Sequence, residues 1–250
     1  ITWCRIMGLV CCIYVNHDAE AKYDKLVNQG VAPQFNEEEA QTCCQELKEE
    51  GQLESVDVNK LYFRLTDSST LALSQGDITK WTGDAIVNAA KESLLGGRGV
   101  DGAIHRAAGS EMYKECQAIE AVEPGVRCPT GEARITGAGK LPVKHVIHTV
   151  GPIYNVAKSE APELLANCYK NSLELANDHQ LKSVAFSAIA CGAYGYPLQE
   201  AAQVALESCQ AHAGQVEVVE FVLFGDDAFM AWKHAAEQAL EKHNIDMSTK

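Results

Sequence analysis

Positive charge is the first thing this sequence has little of. It holds 21 Lys+Arg against 34 Asp+Glu, a formal net charge of −13 in 250 residues, so it offers no broad basic face for a phosphate backbone. Direct nucleic-acid binding is not expected. No apolar run nears the ~18 residues that cross a bilayer, so no membrane span is expected either. The ten cysteines include no C-x-x-C, and the vicinal pairs Cys11–Cys12 and Cys43–Cys44 lack zinc-ligand spacing. His145 and His148, three apart in an apolar run, face opposite sides of a strand. Neither a metal nor a cofactor is therefore expected. The phosphate loop G-x-x-x-x-G-K-[ST] is missing, and no G-x-G-x-x-G sits between a strand and a helix, which disfavours a nucleoside-triphosphate hydrolase and a dehydrogenase.

What is present fits a protein with a large core, 46% hydrophobic with 19 glycines. Such a core needs no disulfide framework, so the thiols read as reduced and the compartment as cytosolic or nuclear. The chain opens at Ile1, and Met7-Gly8-Leu9-Val10-Cys11-Cys12 follows. Translation from Met7 would place Gly8 beside two cysteines in a lipid-anchor pattern, although Cys12 stands where that pattern wants Ser or Thr. A buried strand from Arg5 to Val15 is the plainer reading.

Residues 1–66 form an accessory region of their own texture. Asn36 caps a helix with an acidic first turn, Glu37-Glu38-Glu39, that stops at Gly51. Leu53 to Val56 and Leu61 to Leu65 read as a short hairpin. From 67 to 250 the texture changes to strand–loop–helix alternation. Strand-like runs are Leu71–Leu73, Ala85–Asn88, His145–Val150, Ser183–Ile189 and Val216–Phe224. Helix-period segments are Val100–Ala108, Glu111–Ile119, Glu163–Asn177, Gln199–His212 and Ala228–His243. This predicts an α/β domain on a mostly parallel sheet, whose ligands collect at the strands' carboxyl ends.

Four features sit in those positions. Gly76-Asp77-Ile78-Thr79 follows the first strand, and its carboxylate either caps a turn or accepts from an exocyclic amine such as that of adenine. The stretch from Asn88-Ala89-Ala90-Lys91 through Gly96-Gly97-Arg98-Gly99 is dense enough in glycine to bring backbone N–H groups close to an anion. Asp101 and His105 follow at i and i+4 on one helix face. A carboxylate beside an imidazole at the mouth of such a loop can position and deprotonate a water. The fourth feature, Cys191-Gly192-Ala193-Tyr194-Gly195-Tyr196-Pro197, repeats strand, glycine turn and helix. Together they point to a nucleoside-diphosphate ligand, which an acidic protein can hold with backbone dipoles.

The strings GDIT, DAIVNAAKESLLGGRGVDGAIHRAAG, CPTGEARITGAGKLPVKHVIHTVGP and FSAIACGAYGYP closely resemble the macrodomain family, and within it the MacroD-type branch including plant-like members. The resemblance runs from about Leu71 to Lys242. It implies a three-layer α/β/α fold with a central mixed, mostly parallel sheet, beside the small N-terminal α+β region. It implies a cleft for ADP-ribose or ADP-ribosylated proteins. By motif position Asp77 takes the adenine amine with backbone help from Ile78, and Phe224 lies against the ring. Backbone N–H groups of Gly97, Arg98, Gly99 and Val100, and of Cys191, Gly192, Ala193 and Tyr194, hold the diphosphate. Asn88 and the residue at 91 address the distal ribose, while Asp101 and His105 fall on the branch's catalytic pair.

The implied reaction is hydrolysis at the distal ribose, removing mono-ADP-ribose from protein Asp or Glu or deacetylating O-acetyl-ADP-ribose. Two positions depart from the family pattern, Lys91 in place of Asn and Arg98 in place of Gly. A mobile cation at 91 offers donors but no acceptor, which keeps open a non-catalytic reader of ADP-ribose. Two cations also suit a ligand with an extra terminal phosphate, as for an ADP-ribose phosphate phosphatase. Nothing in the sequence sets an oligomeric state, and a monomer is the simplest expectation.

Overall fold

A computed structural model describes residues 60–240. The chain divides into two units, Ile1–Val58 and Asn59–Lys250. The expected strand from Arg5 to Val15, the helix capped by Asn36 and the hairpin strand Leu53–Val56 lie outside the described residues.

Seven strands form one sheet: β1 (Leu61–Arg64), β2 (Thr70–Gln75), β3 (Gly83–Ala89), β4 (Ala133–Gly137), β5 (Val143–Thr149), β6 (Ser183–Phe186) and β7 (Val218–Leu223). Their order is β1-β2-β7-β6-β3-β5-β4. The inner pairs are parallel, and the edges β1 and β4 run antiparallel to β2 and β5. This is the mixed, mostly parallel sheet expected. The sequence places Leu61 to Leu65 in the accessory region. Among the described residues this segment pairs with β2, with Leu61 opposite Leu73 and Arg64 opposite Thr70, so the sheet begins before residue 66. Strand β4 has no counterpart in the sequence reading. ARITG offers only Ile135 and Thr136 as β-branched residues, and what makes it a strand is its pairing with β5.

Among the described residues six α-helices accompany the strands: α1 (Gly99–Ala108), α2 (Ser110–Ala118), the single turn α3 (Tyr154–Ala157), α4 (Ala161–Asp178), α5 (Leu198–His212) and, after the last strand, α6 (Asp226–Ala239). Pleat alternation sorts the core into two layers. Val87, Ile147, Val184, Phe186, Val219 and Phe221 face α4, α5 and α6. Ile86, Val146, Ala185 and Val222 face α1 and α2. Helix α4 starts with Pro at its N-terminus and buries Leu165, Cys168, Tyr169, Ser172, Leu173 and Ala176 at three- and four-residue spacing. Helix α5 buries Ala201, Ala205 and Cys209, small residues that let it lie close against its neighbours α4 and α6. Tyr169, Phe186, Phe221 and Trp232 join in one aromatic cluster with ring centroids 5.3–6.0 Å apart. This layer is the rigid support of the opposite end, where the loops gather.

Candidate active site

All five inner strands point their carboxyl ends the same way, so every βα loop emerges on one edge of the sheet. Because β6 lies beside β3, the two glycine loops meet there although they are about a hundred residues apart in sequence. The Asp77 loop emerges three strands away, across β7 and β6. At ~4.8 Å per strand that is roughly 14 Å, so a ligand touching both ends must lie extended across four strands.

At the far end Gly76 N–H donates to the Leu223 carbonyl (3.1 Å), tying the β2 and β7 exits together. Asp77 caps a short 3₁₀ turn, Ile78–Lys80, through Oδ1, which accepts from Thr79 N–H (2.9 Å) and Thr79 Oγ1 (2.7 Å). These bonds hold its carboxyl below the usual carboxylate range. The side chain remains exposed while Ile78 is buried beneath it. One residue past the Leu223 carbonyl that receives Gly76 N–H, Phe224 stands 91% exposed. A bare aromatic and an ionised carboxylate at neighbouring strand exits are suited to a flat base carrying an amine.

Between β3 and α1 the chain turns sharply. Leu94 holds a left-handed backbone (φ 57°) and drives its side chain into the core. Gly97 leaves the space a side chain would take, because a Cβ there would stand 2.7 Å from Asp101 Oδ2. Arg98 is in extended backbone (φ −109°) as the cap residue of α1, with no side-chain cap of its own. A residue with a side chain therefore sits at 98 without strain, and the first N–H groups of α1 stay open to an anion. Lys91 is exposed on the same loop, and its charge opposes protonation of His105.

Asp101 is nearly buried. Its Oδ1 accepts from Asn88 Nδ2 at 2.8 Å and lies 3.4 Å from His105 Nε2. Oδ2 faces Gly97 and the loop. Burial, ahead of the opposing pull of Asp101, lowers the His105 pKa below its usual value, and its two ring nitrogens have no hydrogen-bond partner. The ring is thus neutral at pH 7, packed edge-on against Tyr113. Asn88 is fully buried, and its amide lies 3.2 Å from His148 Nδ1. In this arrangement it touches the ligand cleft through Asp101.

The second glycine loop leaves β6 at Phe186, where pairing with β3 and β7 ends, earlier than the run Ser183–Ile189 suggests, and turns through Ala190 at φ 63°. Gly192 and Ala193 are exposed. The Cys191 thiol is pushed up to about 12 by burial, which makes it an inert thiol at neutral pH. Tyr194 is partly buried, and burial first, then the carboxylates of Glu92 and Asp101, raise its pKa. Tyr196 is a packing residue, buried with its ring 4.8 Å from that of Tyr154.

The sequence reading did not include His148, Thr136 or Cys116 in the site. His148 Nε2 lies 2.9 Å from Thr136 Oγ1 and 3.6 Å from Cys116 Sγ. Among the described residues, His105, Cys116 and His148 bring ligand-type atoms within 4.8 Å of one another. Both His148 nitrogens are committed to hydrogen bonds, and burial pushes the Cys116 thiol up to about 11, so the donor set suits a hydrogen-bonded core cluster rather than a metal. His145, on the other face of β5, lies with its ring tilted 5.8 Å from that of His179, as the three-residue spacing of His145 and His148 required.

The family model for the Macro domain matches residues 87–205. A macro domain-containing protein of Vibrio parahaemolyticus is 48% identical over 170 residues, 68% of this chain and 99% of that protein. The Oceanobacillus iheyensis macrodomain solved with ADP is 44% identical at a TM-score of 0.68, the match covering 72% of this chain and 95% of that one. A Trypanosoma brucei macrodomain solved in complex with ADP-ribose is 37% identical at a TM-score of 0.59, covering 66% of this chain and 68% of that one. With the sheet order, the paired glycine loops and these likenesses, the chain belongs to the macrodomain family.

Proposed function

We propose that this macrodomain binds ADP-ribose across the carboxyl edge of its sheet and hydrolyses ADP-ribosyl esters at the distal ribose. Its substrates are mono-ADP-ribose on protein Asp or Glu and O-acetyl-ADP-ribose. The observation that carries this reading is the asymmetry of Asp101. Oδ1 is tied to Asn88, whereas Oδ2 faces the glycine loop where the distal end of an extended ligand would lie. In that role Oδ2 takes a proton from a water, and the hydroxide attacks the ester. The ester C–O bond breaks, leaving a ribose hydroxyl and a free carboxylic acid, which ionises. Neutral His105 flanks the carboxylate without competing for its charge. Asp77 and Phe224 seat the adenine, and the open N–H groups at Gly97 to Val100 and in the Cys191 to Tyr194 loop seat the diphosphate.

The likenesses to macrodomains solved with ADP and ADP-ribose support the ligand. The described cysteines are all thiols, which suits a cytosolic or nuclear setting. The test is release of free ADP-ribose from a Glu-linked, mono-ADP-ribosylated protein. Asp101→Ala should lower the rate by on the order of 10²–10⁴, the range for loss of a general base, and leave ADP-ribose binding in place. Equal release by the variant would overturn the assignment of Asp101.

Lys91 favours a second reading. Its charge stands on the loop beside His105 where the resembling family has Asn, which suits a reader that holds ADP-ribose without cleaving it. Tight binding with no release from any ester by the native protein would select that reading, and a preference for ADP-ribose bearing a terminal phosphate would select the phosphatase.

A further inference from the structure

We propose that His148 is a positioning residue for this hydrolysis: through Asn88 it sets the direction of the Asp101 carboxylate. The inference rests on the hydrolase reading for its kinetic consequence but not for its geometry. A carboxylate oxygen only accepts, so the Asn88 atom 2.8 Å from Asp101 Oδ1 must be the NH₂ group. The reverse orientation would set a carbonyl oxygen against a carboxylate. The second hydrogen of the same NH₂ meets His148 Nδ1 at 3.2 Å, and that nitrogen must therefore be bare. The ring proton is left on Nε2, where it donates to Thr136 Oγ1 at 2.9 Å, and the Thr136 hydroxyl donates onward to the Gly137 carbonyl at 3.0 Å. Every proton in the chain has one place.

The far side of the amide supplies no competing anchor, since Asn88 Oδ1 is buried without a partner. His148 Nδ1 is thus the one group besides Asp101 that the described hydrogen bonds give the Asn88 side chain. Removing it frees the amide to turn and the carboxylate with it. Total burial, ahead of the repulsion that His105 exerts only when it is protonated, lowers the imidazole to about 3 and keeps it neutral. The other polar groups facing the ring are Cys116, 3.6 Å from Nε2, and His105, whose ring lies 6.2 Å away.

The experiment uses the full chain. Nitrogen-15 NMR of the histidine rings should show His148 protonated at Nε2 and bare at Nδ1 throughout the neutral range; a proton on Nδ1 overturns the network whether or not the protein turns over. His148→Leu keeps the bulk and loses the acceptor. It should lower kcat on the order of tenfold while the affinity for free ADP-ribose stays within about threefold. His148→Asn places an oxygen near the lost Nδ1 and should recover most of that rate. An unchanged kcat in the Leu variant, equal loss of binding and turnover, or no advantage of Asn over Leu would each refute the positioning role. Should the Leu variant not fold, Thr136→Val removes the Nε2 acceptor while keeping the imidazole. It should lower kcat several-fold at unchanged affinity, and full turnover there refutes the role as well. Failure of the native protein to release ADP-ribose from any ester refutes the hydrolase reading instead, and the ring tautomer still decides the geometry.

Discussion

Gly97→Ala is the most direct perturbation of the proposed catalytic geometry. Gly97 has no left-handed backbone to lose, so the substitution adds one methyl group and no backbone strain. That methyl would stand 2.7 Å from Asp101 Oδ2. A relaxed carbon–oxygen contact needs about 3.4 Å, so Oδ2 must retreat by roughly 0.7 Å. Asp101 cannot swing aside freely, because Oδ1 is held by Asn88 at 2.8 Å. With a 1 Å misplacement costing about a hundredfold, the shift translates to ~10–50-fold in kcat, or about 1.4–2.3 kcal/mol in the barrier. The loop N–H at 97 is retained, so ADP-ribose affinity by calorimetry should fall no more than a few-fold. Replacing Gly also trims the freedom of the unfolded chain, about 0.4–1 kcal/mol in favour of folding, so the melting temperature should hold. A variant with kcat within twofold of native would refute the placement of Oδ2 as the reacting oxygen.

Three further outcomes follow from the same coordinates. Phe224→Ala should weaken ADP-ribose binding by ~5–150-fold, the range for one base–aromatic stack. It should leave the melting temperature unchanged, because the ring is 91% exposed; unaltered affinity would remove Phe224 from the adenine site. Lys91→Asn should raise ester turnover if the cation misplaces the distal ribose, and it should abolish any preference for a terminal phosphate; a variant identical to native in both would dismiss Lys91 from the site. The His148 imidazole, lowered from 6.5 to about 3 by burial, makes the fold acid-sensitive. The unfolded chain binds that proton first, so stability is full above pH 6.5 and falls as pH drops from 6.5 toward 3, by at most about 1.4 kcal/mol per pH unit. His148→Leu should flatten that limb in chemical unfolding, and an unchanged slope would show that another group sets it.

Much of the site was legible because its parts are local. Asp77 can cap its own turn, the glycines at 96–99 mark a chain reversal, and Asp101 with His105 share a helix face by spacing alone. The relation between Asn88 and His148 was not legible. They are 60 residues apart, and it is the parallel pairing of β3 with β5, which sets Asn88 opposite His148, that buries both on one side of the sheet. Arg98 is a similar case, since its side chain is tolerated because the backbone there is extended, and sequence does not report a dihedral angle.

Local chemistry thus settled in the sequence the class of the fold, the glycine loops and the acid beside them, because turn geometry and helix spacing act over a few residues. Tertiary structure alone decided that Leu61–Arg64 and Ala133–Gly137 close the sheet's two edges, and that the two glycine loops share one crevice. It also decided which oxygen of Asp101 is free. Strand order and register are set by which apolar faces bury together across the whole chain, and no window of sequence contains that information.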